Sequence, residues 1–267
     1  MVEIDWLNLD GAYADRPSSI TIGVFDGVHA GHRALIDRTV ASDWMPVVVT
    51  FQRHPTELLL HDDIPGFIMS LRQKRSVLTE LGVDVTVLID FSESVRSMPG
   101  LAFLEALEAS FLVRRIVVGH DFRCGHRLDT DVDTIRRHYA GRGVEVIAVD
   151  PVVVGSQPVS SSRIRGLILR GDLEDAARLL GRPYTLDIAG ETVETDGESR
   201  YIVKDDRGLL PESKQLLPPP GTYRATARGA RCEYDVGLAI GANSVRWPLV
   251  AADTIRYIVV HQRRISE

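Results

Sequence analysis

The sequence is poor in the features that mark secreted, membrane-embedded or nucleic-acid-binding chains. Its two cysteines, Cys124 and Cys232, are far apart and too few for a disulfide scaffold, so reduced thiols in a cytoplasmic protein are expected. No run approaches the ~18 consecutive apolar residues that cross a bilayer. The opening Met1-Val-Glu-Ile-Asp-Trp6 has neither the basic stretch nor the apolar core of a signal peptide. Lys and Arg number 31 against 37 Asp and Glu, a net charge of −6, which weighs against a nucleic-acid partner gripped through its phosphates. There is no internal repeat and no low-complexity tract, and Pro218-Pro219-Pro220 reads as a stiff turn. What is present is ordinary for a globular chain with a proper core: 267 residues, 44% hydrophobic and 25% charged.

Short β-branched apolar runs recur through the first half, at 20–25, 47–51, 85–89, 116–119 and 144–149. Continuous runs of this kind suit strands buried on both faces of a parallel sheet. Helix-period segments lie between them at 33–40, 71–81, 101–112 and 132–139. This alternation predicts an α/β domain with a doubly wound parallel sheet, whose ligands gather at the carboxyl ends of its strands. The character changes after Gly181-Arg-Pro-Tyr184. Strand-like runs at 200–203, 222–226, 233–240 and 254–260 then alternate with turn-rich pieces, and no useful helix period appears. A smaller C-terminal all-β barrel or sandwich over 185–267 is expected, behind a first domain over 1–184.

The richest stretch is Gly23-Val-Phe25-Asp26-Gly27-Val-His29-Ala-Gly31-His32, which continues the apolar run begun at Ile20 and opens a helix. A strand feeding a short turn sets a helix N-terminus at the sheet's carboxyl edge, where unpaired N–H groups and the positive dipole end attract anions. Gly27 and Gly31 let a phosphate approach the backbone, and His29 and His32, three apart, can both donate to its oxygens. Two other readings fit the same residues: loop capping, or a metal held by the histidine pair. Three further segments stand near strand ends: Thr50-Phe-Gln-Arg-His54-Pro55, Gly119-His-Asp121-Phe122-Arg123-Cys124-Gly125, and Val159-Ser-Ser161-Ser162-Arg163-Ile-Arg165. Ser160 to Ser162 are also good N-caps for a helix over 164–170. A histidine turn and a Ser-Ser-Ser-Arg-x-Arg helix start on one sheet edge make a two-sided phosphate clamp.

These motifs, in this order, resemble the adenylyltransferase module of the bacterial bifunctional riboflavin kinase/FAD synthetases. The family's G-x-F-D-G-x-H-x-G-H turn matches Gly23 to His32 at every fixed residue, and T-F-x-x-H-P matches Thr50 to Pro55. Its D-F-R-F-G segment matches Asp121 to Gly125 except for Cys124. Its I-S-S-T-R-I-R run appears as Val159 to Arg165 with Ser162 for threonine, and G-D-L-x-x-A-x-x-L-L-G-R-P-Y is present at Gly171 to Tyr184. The resemblance covers residues 15–184.

It implies a Rossmann-like nucleotidyltransferase fold and transfer of AMP from ATP to FMN, with Mg²⁺ as cofactor and ATP and FMN as substrates. His29, His32 and Arg165 would be the catalytic residues, with Ser161, Ser162 and Arg165 holding the departing phosphates. Gly23, Phe25, Asp26, Gly27, Gly31, Asp121, Phe122 and Arg123 would bind nucleotide or flavin, and His54 and Pro55 would line the flavin side. No single residue emerges as the direct metal ligand, and homo-oligomer formation is left open.

Two departures qualify the resemblance. Cys124 replaces an aromatic near the flavin end, where a small buried thiol is expected rather than a reactive one. The stretch Glu198 to Gly208 lacks the family kinase's G-x-P-T-A-N motif, and only Leu216-Leu-Pro-Pro-Pro-Gly-Thr-Tyr223 matches its L-L-P-x-x-G-x-Y turn. The expectation is a shortened barrel without riboflavin kinase activity. Two alternatives stay open: a related nucleotidyltransferase with another phosphate acceptor, and a non-catalytic nucleotide- or flavin-binding protein.

Overall fold

A computed structural model describes residues 1–52, 66–90, 92–250 and 254–263. By compactness the chain falls into two units. The first takes Met1–Phe25, Gly31–Ile64 and Arg75–Pro158; the second takes Asp26–Ala30, Pro65–Lys74 and Val159–Glu267. The sequence-based boundary at 184/185 thus lies inside the second unit, which also draws in two short pieces of the N-terminal half.

The first unit is built on six parallel strands: β1 (Val2–Asp5), β2 (Tyr13–Ile22), β3 (Met45–Phe51), β4 (Val85–Ile89), β5 (Phe111–Gly119) and β8 (Glu145–Val149), in the order β1-β4-β3-β2-β5-β8. β2 pairs with β3 on one side and β5 on the other, so the chain reverses its direction of winding there. The crevice at such a switch point is where open α/β sheets hold ligands. The helices are α1 (Ala30–Val40), α2 (Leu71–Glu80), the single turn α3 (Glu93–Arg96), α4 (Gly100–Ser110) and α5 (Val132–Tyr139). Two short hairpins also lie in the unit, β6 (Arg123–Cys124) with β7 (Thr130–Asp131), and β9 (Val153–Val154) with β10 (Gln157–Pro158). Ile20, Val47, Val87 and Val118 from four neighbouring strands share one buried cluster with Phe103, Leu104 and Leu107 of α4 and Ile135 of α5. Each such side chain contributes about 1.5–3 kcal/mol by leaving water.

Most expected elements are present, with corrected ends. The strand expected over 20–25 stops at Ile22, because Phe25 turns to φ 50 and breaks the extended chain. The helix expected to Leu112 stops at Ser110, since Phe111 and Leu112 already belong to β5. The apolar run at 152–154 supplies only a two-residue hairpin strand. The edge strand Val2–Asp5, paired in parallel to β4, was not read from the sequence: Glu3 and Asp5 hide its apolar pattern.

The second unit holds the helices α6 (Ser161–Arg170) and α7 (Leu173–Leu180), along with the first turn of α2. Seven antiparallel strands follow: β11 (Tyr184–Asp187), β12 (Glu194–Thr195), β13 (Ser199–Val203), β14 (Gly221–Arg228), β15 (Glu233–Ile240), β16 (Ser244–Pro248) and β17 (Tyr257–Arg263), in the order β11-β17-β14-β15-β16-β13-β12. The sheet is a curled half-barrel. Along β14 every second residue, Tyr223, Ala225 and Ala227, is buried, while Thr222, Arg224 and Thr226 point outward. Trp247, 1% exposed, sits in this core as a packing residue. No described helix is long and apolar enough to cross a membrane.

Candidate active site

The residues singled out from the sequence fall into both units. In the first, the carboxyl ends of the strands open two cavities that share Phe122 and Arg123. One, of about 390 Å³, is walled by the last residues of β2, β3 and β4 (Ile22, Phe51 and Ile89), by Val95, Met98 and Phe103, and by Gly23, Cys124 and Gly125. It is apolar. The other, of about 450 Å³, lies beyond β5 and β8 and is polar, lined by His120, Asp121, Asp131, Asp133, Arg136 and Asp150.

Local chemistry explains how the apolar cavity keeps its shape. Thr50 donates its hydroxyl to the Val24 carbonyl at 3.0 Å, anchoring the chain where it leaves β2. A methyl at Gly23 would meet the Phe25 ring at 3.1 Å. Phe25 is fully buried and stands edge-on to His32, ring centroids 5.2 Å apart. Gly125 takes φ 83 and ψ 177, which a side chain rarely adopts, and Asp129 beside it accepts from Gly100 N at 3.0 Å. Cys124 is half-buried, and burial together with the Asp129 carboxylate pushes its thiol up to about 12, so it is an inert lining group. Asp121 is 84% exposed and lies 3.8 Å from His120 Nδ1.

In the second unit the turn Asp26–His29 meets α6 and the end of α7. Asp26 is buried, and its carboxylate accepts from Ile68 N at 3.0 Å and from Arg165 Nη2 at 2.7 Å. Ser160 caps α6 by accepting from Arg163 N at 3.2 Å, and Ser161 donates to the Asp26 carbonyl at 2.9 Å. Ser162 is exposed on the first turn of α6. Arg165 Nε is buried with no hydrogen-bond partner among the described residues. Arg182 donates to the carbonyls of Gly27 at 2.6 Å and Val28 at 3.2 Å. The backbone here is strained: Gly27 has φ 86 and Val28 has φ 36, a left-handed conformation that costs a β-branched residue about 1–3 kcal/mol. A methyl at Gly27 would also meet Ile68 at 3.0 Å and Leu180 at 3.2 Å.

His29 is 5% exposed. Burial lowers its pKa from 6.5 to about 4, helped by the charges of Arg182 and Arg165 and opposed by a backbone hydrogen bond, so the imidazole is neutral at physiological pH. Lys74, also buried, is lowered to about 8 by desolvation, with Asp26 pulling the other way.

The structure therefore brings Asp26, Gly27, His29, Ser161 and Arg165 together in one unit. It places Gly23, Phe122 and Arg123 on the cavities of the other, with Phe25 against His32. Gly31 lies in the first turn of α1. Asp26 and Ser161, read from the sequence as ligand-facing, spend hydrogen bonds on fixing the turn. Arg182 and Lys74 were missed. Arg182 stands within the Gly-Arg-Pro-Tyr motif, which was the available signal, whereas Lys74 looks like any helix-surface lysine. His54 and Pro55 lie outside the described residues.

Comparison with known proteins identifies the family. Residues 12–163 match the FAD synthetase family model. Among similar proteins, the bifunctional riboflavin kinase/FMN adenylyltransferase of Pseudomonas fluorescens is 32% identical over 90% of this chain and 76% of its own. The corresponding proteins of Listeria monocytogenes and Escherichia coli K12 are 29% and 30% identical, over 86% and 79% of this chain and 74% and 68% of theirs. A crystal structure described as a macrolide-efflux protein from Streptococcus pneumoniae shares the fold, with a TM-score of 0.80 over 100% of this chain and 93% of that one at 20% identity. The chain belongs to the FAD synthetase family and is a nucleotidyltransferase.

Proposed function

We propose that this enzyme transfers AMP from ATP to FMN, forming FAD and pyrophosphate. The observation that carries this reading is the pair of adjoining cavities at the carboxyl ends of the strands, the apolar one at β2, β3 and β4 and the polar one beyond β5 and β8. The apolar one, with Phe51, Phe103 and Phe122 in its wall, suits a flat isoalloxazine ring, and the polar one, with its carboxylates, suits a ribose and base. An FMN phosphate oxygen attacks the α-phosphorus of ATP as the bond to the bridging oxygen breaks and pyrophosphate departs. The nucleophile comes with the substrate, so the protein's contribution is positioning and charge stabilisation. Neutral His29 donates an N–H rather than a full charge, and His32 adds a second donor. Arg165, held along one edge by Asp26, has its Nε available to a phosphate oxygen, and Ser162 with the N-terminus of α6 receives the leaving phosphates.

Mg²⁺ ordinarily binds through substrate phosphates and one or two carboxylates. The described residues include no group of three or more His, Cys, Asp or Glu that could hold a metal, so a substrate-borne ion fits better than a protein cage. Asp121, with its exposed carboxylate, would hold that ion, which would neutralise charge on the phosphates.

The same reading assigns no riboflavin kinase activity. The loop after β13, where the kinase motif is lacking, closes on itself: Asp205 accepts from Arg207 N at 3.0 Å, Leu209 N at 2.9 Å and Lys214 Nζ at 3.1 Å. We place the enzyme in the cytoplasm, with ATP and FMN as small-molecule partners and with neither nucleic acid nor membrane. The test is incubation with ATP, Mg²⁺ and either riboflavin or FMN, followed by chromatography. FAD from FMN with riboflavin untouched is expected. FMN formed from riboflavin overturns the kinase assignment, and no product from FMN overturns the adenylyl-transfer reading.

A further inference from the structure

Resting on the adenylyl-transfer reading, we propose that Arg182 is a positioning residue of the reaction, fixing the His29-bearing turn through the carbonyls of Gly27 and Val28. Its place in the chain follows from the end of α7. Gly181 takes φ 70 after Leu180 and reverses the chain, and the next residue sends its guanidinium back across the turn. Nη2 donates to Gly27 O at 2.6 Å, while Nη1 donates to Val28 O and to Leu180 O, both at 3.2 Å. One planar fork therefore ties two consecutive turn carbonyls to the end of a helix 155 positions away.

The turn needs such a tie. Gly27 and Val28 both have positive φ, and Val28 is fully buried, so neither carbonyl has ready access to water if its donor is withdrawn. The Asp26 carbonyl is held separately by Ser161, so three successive carbonyls before His29 accept from side chains. Holding the peptide oxygens fixes the backbone that carries the imidazole. The cations facing His29 are Arg182 and Arg165, and the Arg182 charge also opposes protonation of the ring.

Geometry and charge separate in two variants of the full-length protein. Arg182→Lys keeps the cation but cannot span both carbonyls, whereas Arg182→Ala removes both. With FMN as substrate, both variants are expected to lose kcat by about 10–100-fold, with KM for FMN within about threefold of wild type. The His29 titration followed by NMR is expected to move up from about 4 only in Arg182→Ala, and millimolar methylguanidinium is expected to restore part of that variant's kcat. Thermal melts identify a variant that fails to fold, and the judgement then falls on the one that folds. A kcat within threefold of wild type in a folded Arg182→Lys, or an unmoved His29 titration in a folded Arg182→Ala, overturns the proposal. If wild type forms no FAD while the His29 titration still moves in Arg182→Ala, the adenylyl-transfer reading fails and the structural tie stands.

Discussion

His29 couples the site to acidity. Its folded pKa of about 4 lies below the ordinary 6.5, so between those values the unfolded chain binds a proton that the folded chain refuses. Stability therefore falls as pH drops from 6.5 toward 4, by an amount on the order of 3 kcal/mol at the lower end. Urea melts across that range should show the slope in wild type and a flatter one in His29→Gln; equal slopes would mean that His29 titrates normally. Activity lost between pH 7 and 6 would have to come from another group. The cysteines give a second residue-scale expectation. Cys232 is exposed, while the Cys124 thiol is pushed up to about 12, so iodoacetamide at pH 8 should label Cys232 at least tenfold faster, as read by peptide mass spectrometry.

At the scale of elements, the loop between β6 and β7 lines the apolar cavity with Gly125 and Leu128. A methyl at Gly125 would run into Asp129 and the backbone of Gly100, the residue that opens α4. Gly125→Ala is expected to push this loop away from α4 and raise KM for FMN at least tenfold. An unchanged KM would remove the cavity from the flavin assignment. The N-cap of α6 has a smaller expected effect: Ser160→Ala loses the bond to Arg163 N and should cost about 1 kcal/mol by chemical denaturation.

These elements also show what the sequence discloses and what it conceals. Buried parallel strands read clearly, because Val47, Val48 and Val49, or Val87, Leu88 and Ile89, follow one another as apolar runs. Edge strands do not, because β1 carries Glu3 and Asp5 and β12 is only the polar pair Glu194–Thr195. The histidine turn was legible as a motif. That Asp26 would be consumed by Arg165 and by the Ile68 N–H was not, since those partners lie far away in sequence and only the folded chain brings them near.

Across the whole molecule, the second unit is discontinuous. Phe67 N donates to Lys214 O at 2.8 Å, Gln215 Nε2 donates to Ile68 O at 3.2 Å, and Ser70 donates to Asp187 at 2.5 Å. Ile68 N in turn holds Asp26. The half-barrel's residues thus brace the segment that braces the histidine turn, whatever becomes of kinase chemistry. A chain cut after Tyr184 loses Asp187, Lys214 and Gln215 together. It should melt at a lower temperature than the full chain and form FAD at under about 1% of its rate; full activity in that fragment would show the brace to be dispensable.

The long reach of Arg182 has a bearing on how the protein comes into being. Gly27 emerges from the ribosome 155 residues before the guanidinium that grips its carbonyl. At about 5–20 residues per second, that is a wait of roughly 8–30 seconds. Through that interval the nascent parallel strands can pair, but the turn that will carry His29 lacks Arg182, and for most of it Arg165 as well. Catalytic competence is therefore a late event in synthesis, appearing only after some two thirds of the chain, up to Arg182, has been made.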